Sequence, residues 1–142
     1  MVIVRAEARE RLRALAALAY PDEGCGVLIG SIDAAGETRV TEATPGRNLR
    51  RDRTRDRYEL DPGSILAAER SARERGMDVV GFWHSHPDHP AEPSQFDTER
   101  AWAEYVYVIV RSGMEGAGEA RAWRLEAEGA GFTELAMDVG EV

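Results

Sequence analysis

Hydrophobic and polar positions along the first third of the chain predict a strand, a helix and a hairpin. Residues 2–4 form a short apolar run, which indicates a strand. Across residues 6–19, leucine and alanine recur at helical spacing, and Pro21 stands where such a helix would stop. The run CGVLIGSID, the turn AAGE and the run TRVTEAT then predict a β-hairpin over residues 25–44.

Helices and strands continue to alternate in the rest of the chain. Asp61 and Pro62 are typical of an N-cap and a first helical position, and Gly76 is typical of a helix end. The run MDVVGFWHSH predicts a strand, and its apolar residues Val79, Val80, Phe82 and Trp83 are too continuous for a half-exposed edge. A proline-containing loop follows, then a capped helix in SQFDTERAWAEY and three strands in VYVIV, RAWRLEA and FTELAMDV. These elements predict an α/β fold, and the stretch 58–86 allows a parallel strand pairing within it.

Composition mainly excludes other classes of protein. A chain of 142 residues, 43% apolar and 31% charged, is expected to form one domain over residues 1–142. No apolar run reaches the roughly 18 residues of a membrane span, and the charged N-terminal segment is unlike a signal peptide. The single cysteine, Cys25, excludes an internal disulfide and fits a cytoplasmic protein. A net charge of −8 argues against nucleic acid as a partner.

Basic charge is concentrated in the segment 47–57. All 18 basic residues of the chain are arginine, and six of them lie in GRNLRRDRTRDRY. Asp52 and Asp56 offset two of these six, so the segment carries about +4 and the rest of the chain about −12. Such runs are usually solvated loops. The alternative is a basic lip beside a site, where it attracts an acidic partner or a terminal carboxylate.

All three histidines lie within six positions of the stretch GFWHSHPDHPAEPSQFD. His84 and His86 are two residues apart on the predicted strand, so their imidazoles face the same side. A catalytic zinc ion uses three protein ligands and keeps one position for water. Asp97, in the first turn of the next helix, can supply the third ligand once the proline-rich loop folds back. His89 and its neighbour Asp88 are expected to be surface residues.

Three metal-site patterns compete for this stretch. HSHPDH reproduces the His-X-His-X-Asp-His pattern of metallo-β-lactamase-like hydrolases, but that centre needs further histidines and none follows His89. The zinc deaminase pattern needs Pro-Cys-X-X-Cys, which a chain with one cysteine cannot contain. The remaining pattern, His-Ser-His-X7-Ser-X2-Asp, consists of His84, Ser85, His86, Ser94 and Asp97.

This last pattern resembles the signature of the JAMM (MPN-plus) metallopeptidases, whose remaining member is an upstream glutamate. Glu23, in YPDEGCGVLIG, stands just before an apolar strand, where that glutamate is expected. Asn48 and the stretch YELDP, residues 58–62, also look like the short bacterial and archaeal members. The resemblance covers residues 1 to about 127. It implies an MPN domain, a central mixed β-sheet flanked by helices in a cytidine-deaminase-like architecture.

The resemblance also implies a role for each site residue. His84, His86 and Asp97 would hold one Zn²⁺ per chain. Glu23 would take a proton from the attacking water and pass it to the departing amine. Ser94 would donate a hydrogen bond to the oxyanion. Ser94 and Asp97 also fit an ordinary helix-capping pair, and the two uses are compatible.

The substrate class follows from the resemblance alone. Catalytic relatives cleave after the C-terminal glycine of ubiquitin or ubiquitin-like proteins. Small prokaryotic members act on sulfur-carrier proteins and release cysteine or another adduct from a Gly-Gly tail, which suits a chain without long insertions. The alternatives are a non-catalytic MPN-type scaffold and a general small-peptide metallopeptidase. The resemblance leaves a homodimer open and implies neither a nucleic-acid nor a membrane partner.

Overall fold

The computed structural model describes residues 1–127 and 131–140 of the chain. The elements in this part are β1 (Val2–Arg5), α1 (Ala6–Ala19), β2 (Cys25–Ile32), β3 (Thr38–Pro45), α2 (Pro62–Glu74), β4 (Asp78–Pro87), α3 (Gln95–Arg100), β5 (Val106–Gly113), β6 (Gly116–Leu125), β7 (Phe132–Leu135) and β8 (Met137–Gly140). The first strand, first helix, hairpin and second helix therefore lie where the hydrophobic pattern predicts them.

The eight strands form one mixed sheet in the order β7-β6-β5-β4-β2-β3-β1-β8. Strand β1 runs parallel to β3 and to β8, and β4 runs parallel to β5. The other neighbouring strands are antiparallel. The expected central mixed sheet is confirmed, and β4 lies near its middle, where it is covered on both faces.

Helices cover the two faces of the sheet. Helix α1 packs against β1, β3, β5, β6 and β8, and its buried residues are Ala8, Leu12 and Ala16. Helix α2 packs against β2 and β4 on the other face, through Ala68 and Ala72. Because side chains alternate along a strand, Trp83 of β4 joins the core on the α1 face and Phe82 joins the core beneath α2. His84 and His86 continue the Phe82 face toward the end of β4.

The run FTELAMDV does not form the single strand predicted for it. It divides into β7 and β8, which lie at opposite edges of the sheet and are separated only by Ala136. Because one residue joins β7 to β8, these two edges of the sheet come close together at Ala136, whose carbonyl accepts from the backbone N–H of Val2 at 2.8 Å. Hydrophobic alternation does not encode pairing partners, so the sequence pattern could not reveal this break.

Two further expectations need correction near the end of β4. The parallel pairing allowed for residues 58–86 forms instead between β4 and β5, because the segment before α2 contributes only an isolated bridge between Asn48 and Leu60. The predicted helix in SQFDTERAWAEY ends at Arg100. There the backbone becomes extended at Ala101, and the N–H of Trp102 donates to the Tyr107 hydroxyl at 2.8 Å instead of continuing the helix.

Candidate metal and catalytic site

Glu23 lies in the short connection between α1 and β2, and its neighbours hold its backbone on both sides. Its N–H donates to the Thr54 carbonyl at 2.6 Å, and its carbonyl accepts from Asn48 Nδ2 at 3.4 Å. The side chain is only 4% exposed, and Glu23 Oε1 is buried without a hydrogen-bond partner. Burial raises the pKa of Glu23 to about 8, and the charge of His86 offsets this only in part. This carboxyl group is therefore held in a position that favours a proton or a cation.

His84 and His86 lie on β4 and direct their rings to the same spot. The residues are 1% and 7% exposed, and their Nε2 atoms are 3.1 Å apart. The intervening Ser85 points away from them. Its hydroxyl accepts from the N–H of Gly24 at 2.7 Å, and its own N–H donates to the Gly24 carbonyl at 2.9 Å. The serine of the His-Ser-His motif thus joins the Glu23 connection to the strand that bears the histidines.

Asp97 reaches the two histidines from α3. Its Oδ2 lies 3.2 Å from His84 Nε2 and 3.1 Å from His86 Nε2. The same oxygen accepts from the N–H of Ser94 at 2.8 Å, while Ser94 Oγ accepts from the N–H of Asp97 at 3.1 Å. This pair is the helix-capping box that the sequence predicts, and it orients the carboxylate. Ser94 itself is exposed and uses its oxygen as an acceptor, which leaves its hydroxyl proton available to another group.

Hydrogen bonds and charges inside this cluster oppose the effect of burial. Burial disfavours ionisation of Asp97, yet the two histidines and the Ser94 N–H hold its pKa well below its usual value. Burial likewise lowers the pKa of His86, but hydrogen bonds with Asp97 and the Pro90 carbonyl raise it above its usual value. A cation bound among these groups would favour ionised carboxylates and neutral imidazoles.

The arrangement fits a zinc ion. Glu23, His84, His86 and Asp97 are all buried, and one potential ligand atom from each lies within 4.8 Å of the others. Metal–ligand bonds of about 2.0–2.1 Å in a tetrahedron place ligand atoms roughly 3.3 Å apart, close to the 3.1–3.2 Å separating the two imidazole nitrogens and the Asp97 oxygen. His86 Nδ1 lies 2.9 Å from the Pro90 carbonyl, which assigns its proton to Nδ1 and leaves Nε2 as a ligand.

Several neighbours of the cluster had no predicted role in the site. The ring of Tyr58 stacks on His84, with ring centroids 4.6 Å apart and an interplanar angle of 24°. The Pro90 carbonyl orients His86, and Asn48 bonds the Glu23 carbonyl. Asn48 and Tyr58 belong to the stretches that carry the family resemblance, which was the available signal for them. A backbone carbonyl such as that of Pro90 leaves no signal in the sequence.

A cavity of about 450 Å³ opens beside the cluster. It is lined by Glu23 and His86 together with Ser94, and the segment 47–57 and α3 contribute further walls. Two hydrogen bonds hold the arginine-rich segment against the site. The Thr54 carbonyl accepts from the Glu23 N–H, and the Thr54 hydroxyl donates to Asp22 Oδ1 at 2.7 Å. Part of the segment 47–57 therefore lies beside the cavity instead of forming a detached loop.

Two residues near the motif lie outside the cluster. His89 is exposed and forms part of the cavity wall, and it is not among the four grouped potential ligands. Cys25 is buried as a free thiol opposite His84 on β2, and burial raises its pKa to about 12. A thiol held in its protonated form is a poor ligand and a poor nucleophile.

Within the described residues, no helix is both long and apolar enough to cross a membrane.

Comparison with known proteins supplies the family. The sequence pattern of the prokaryotic homologs of the JAB domain matches residues 5–126. The chain belongs to this family. The JAB-domain chain is 40% identical over 120 residues to the desampylase of Haloferax volcanii, which covers 84% of this chain and 79% of that protein. It is 32% identical over 142 residues to the CysO-cysteine peptidase of Mycobacterium tuberculosis, with 99% and 92% covered.

Solved structures agree with this assignment. A protein from Desulfitobacterium hafniense superimposes on the JAB-domain chain with a TM-score of 0.85 at 27% identity, covering 100% of this chain and 94% of the other. A JAB1/MPN domain protein from Archaeoglobus fulgidus gives a TM-score of 0.59 at 22% identity over 99% and 100% of the two chains, which supports the fold. The predicted JAMM/MPN family, α/β fold and peptidase class are confirmed.

Proposed function

We propose that this chain is a zinc-dependent peptidase acting on the C-terminal adducts of ubiquitin-like or sulfur-carrier proteins. It hydrolyses the amide bond after the last glycine of a Gly-Gly tail and releases the attached amine. The observation that carries the proposal is the buried cluster of Glu23, His84, His86 and Asp97 beside an open cavity. The names of the relatives, a desampylase and a CysO-cysteine peptidase, support the substrate class.

In this proposal the two histidines and Asp97 would hold one zinc ion. Such an ion would lower the pKa of a bound water molecule to about 7 and polarise the scissile carbonyl. The Ser94 N–H and the Pro90 carbonyl keep Asp97 and His86 in their orientations. Tyr58 covers the outer face of His84 and excludes water from it. The chain thereby supplies a preorganised set of donor atoms on a rigid strand and a capped helix.

Glu23 is the proton carrier in this proposal. Its Oε1 has no other hydrogen-bond partner among the described residues, so it is free to accept a proton from the attacking water. The nitrogen of the cleaved amide must gain a proton before it leaves, and Glu23 returns the proton to it. A scaffold of the same fold would have no use for a buried carboxylate oxygen left unpaired.

Ser94→Ala is expected to lower kcat by roughly 10²–10³-fold, because one donor to the oxyanion is lost. Zinc content should be unchanged. The variant also removes a helix cap worth about 0.5–2 kcal/mol, so thermal unfolding must be followed alongside kcat. Ser94→Thr keeps a hydroxyl and a cap and serves as the matched control. If Ser94→Ala loses stability but retains the parental kcat, Ser94 acts only as a cap.

The proposed function is tested by incubating the zinc-loaded protein with ubiquitin-like carrier proteins that bear C-terminal adducts. Mass spectrometry should show the carrier reduced to its free Gly-Gly carboxylate, with the adduct appearing as a free amine. Short peptides unrelated to the carrier should stay intact under the same conditions. Cleavage of the short peptides while the carrier adducts stay intact would replace this proposal with a general small-peptide peptidase.

A further inference from the structure

Four charged side chains besides Glu23 line the cavity, and three of them are in ion pairs. Arg53 binds Asp56 through two hydrogen bonds, of 2.6 and 3.2 Å. Glu92 binds Arg121 at 3.0 Å. The fourth is Arg57, whose guanidinium has no ion pair or hydrogen bond within the part of the chain that the structure describes. The cavity thus contains one cation without a carboxylate partner.

Packing holds this cation in place. The Arg57 guanidinium lies over the ring of Phe96 on α3, 4.5 Å from the centroid, and Arg100 and Arg50 approach the same ring at 4.8 and 5.8 Å. Stacking occupies the face of the guanidinium and leaves its N–H edge for an acceptor. Among the described residues, Arg50 is the one of these three with an ion pair, and its partner is the exposed Asp52. The three guanidinium groups surround the Phe96 ring, and Arg57 is the one of them that lines the cavity.

The position of Arg57 relative to the cluster is also defined. The next residue, Tyr58, stacks on His84, and three residues before it Thr54 accepts from the N–H of Glu23. Arg57 therefore lies between two direct contacts with the cluster. Glu23 and Arg57 also line the same cavity, so a substrate that enters it meets both side chains.

We propose that Arg57 binds the free carboxylate of the leaving group, so that the site selects adducts that release an amino acid with its own α-carboxylate. This inference rests on the proposed function. In the substrate, the carboxyl group of the carrier's last glycine is part of the amide bond. The free carboxylate nearest that bond is therefore the α-carboxylate of the attached amino acid. Water adds across that bond, giving the carrier a carboxylate and the amino acid a free amine while its α-carboxylate stays on Arg57. Arginine pairs well with carboxylates because it offers parallel N–H donors.

The test compares two adducts of one carrier that differ only in this carboxylate, namely cysteine and cysteamine. The parent enzyme should favour the cysteine adduct in kcat/KM by roughly 10- to 100-fold, the usual worth of a charge-assisted hydrogen bond. Arg57→Gln should bring that ratio close to one, mainly through slower cleavage of the cysteine adduct. Arg51→Gln removes the same charge from an exposed position in the same segment and should keep the parental ratio. A parental ratio near one, or equal slowing of both adducts by Arg57→Gln, would overturn the inference.

A binding measurement separates this inference from the proposed function. Calorimetric titration of the Glu23→Gln protein with each adduct should show tighter binding of the cysteine adduct, and Arg57→Gln should remove the difference. If neither adduct is cleaved by the parent, the proposed function fails, whereas the binding difference still reports on Arg57. Equal affinities for the two adducts would contradict the role of Arg57 whatever the turnover.

Discussion

Replacing Glu23 with glutamine should lower kcat by roughly 10²–10⁴-fold, the usual contribution of a general base. Glutamine keeps the size of the side chain and the backbone contacts to Thr54 and Asn48, but it cannot accept a proton at neutral pH. Because Glu23 is not one of the three proposed ligands, bound zinc should remain at the parental level. The measurements are steady-state kinetics with a carrier adduct and metal analysis of the same preparation.

The matched control for this variant is Glu99→Gln, which removes an exposed carboxylate from α3. It should leave both zinc content and kcat unchanged. A Glu23→Gln protein that turns over at the parental rate would contradict the proposed mechanism, even with its metal content intact. Loss of zinc from that variant would instead make Glu23 a ligand.

Single replacement of His84, His86 or Asp97 by alanine should abolish zinc binding and, with it, detectable turnover. Two remaining ligands rarely hold zinc against a buffer. His89→Ala is the control, since that exposed histidine lies next to the site but outside the grouped ligand atoms. Zinc content after equilibrium dialysis measures the effect directly. Loss of zinc from His89→Ala together with retention by Asp97→Ala would revive the metallo-β-lactamase-like pattern.

Asp97→Ala has a second consequence, because Asp97 also accepts from the Ser94 N–H in the capping box. Asp97→Asn keeps that acceptor while it removes the negative charge that zinc requires. We expect the asparagine variant to unfold near the parental temperature without added metal and to bind zinc weakly. If Asp97 acted only through the capping box, the alanine variant would be destabilised and the asparagine variant would keep its full zinc content.

Local rules predicted most of the fold. The strand and helix periods place β1 to β4 and the first two helices close to their observed bounds, because these elements bury one face or one stripe. The division of FTELAMDV into β7 and β8 is accompanied by a hydrogen bond from Val2 to Ala136, and the early end of α3 by a hydrogen bond from Trp102 to Tyr107. The partners, Val2 and Tyr107, lie on other elements of the fold. Such contacts decide where an element ends without changing its hydrophobic pattern.

Local sequence likewise predicts some residues of the candidate site and not others. Alternation on one strand puts His84 and His86 together, and the capping pattern places Asp97 on the first turn of α3, so these three follow from local sequence. Glu23 lies on another element and could be named only through the family resemblance. The stacking of Tyr58 on His84 and of Arg57 on Phe96 is tertiary packing that residue spacing does not encode.

We propose that the cluster of Glu23, His84, His86 and Asp97 is a peptidase centre that works with a single zinc ion. The most direct measurement strips the protein with a chelator, removes the chelator and follows hydrolysis of a carrier adduct as zinc is added back. We expect negligible hydrolysis of the adduct by the stripped protein and a linear recovery that ends at about one zinc per chain. Full hydrolysis by the stripped protein, or a recovery that needs two zinc ions per chain, would contradict this proposal.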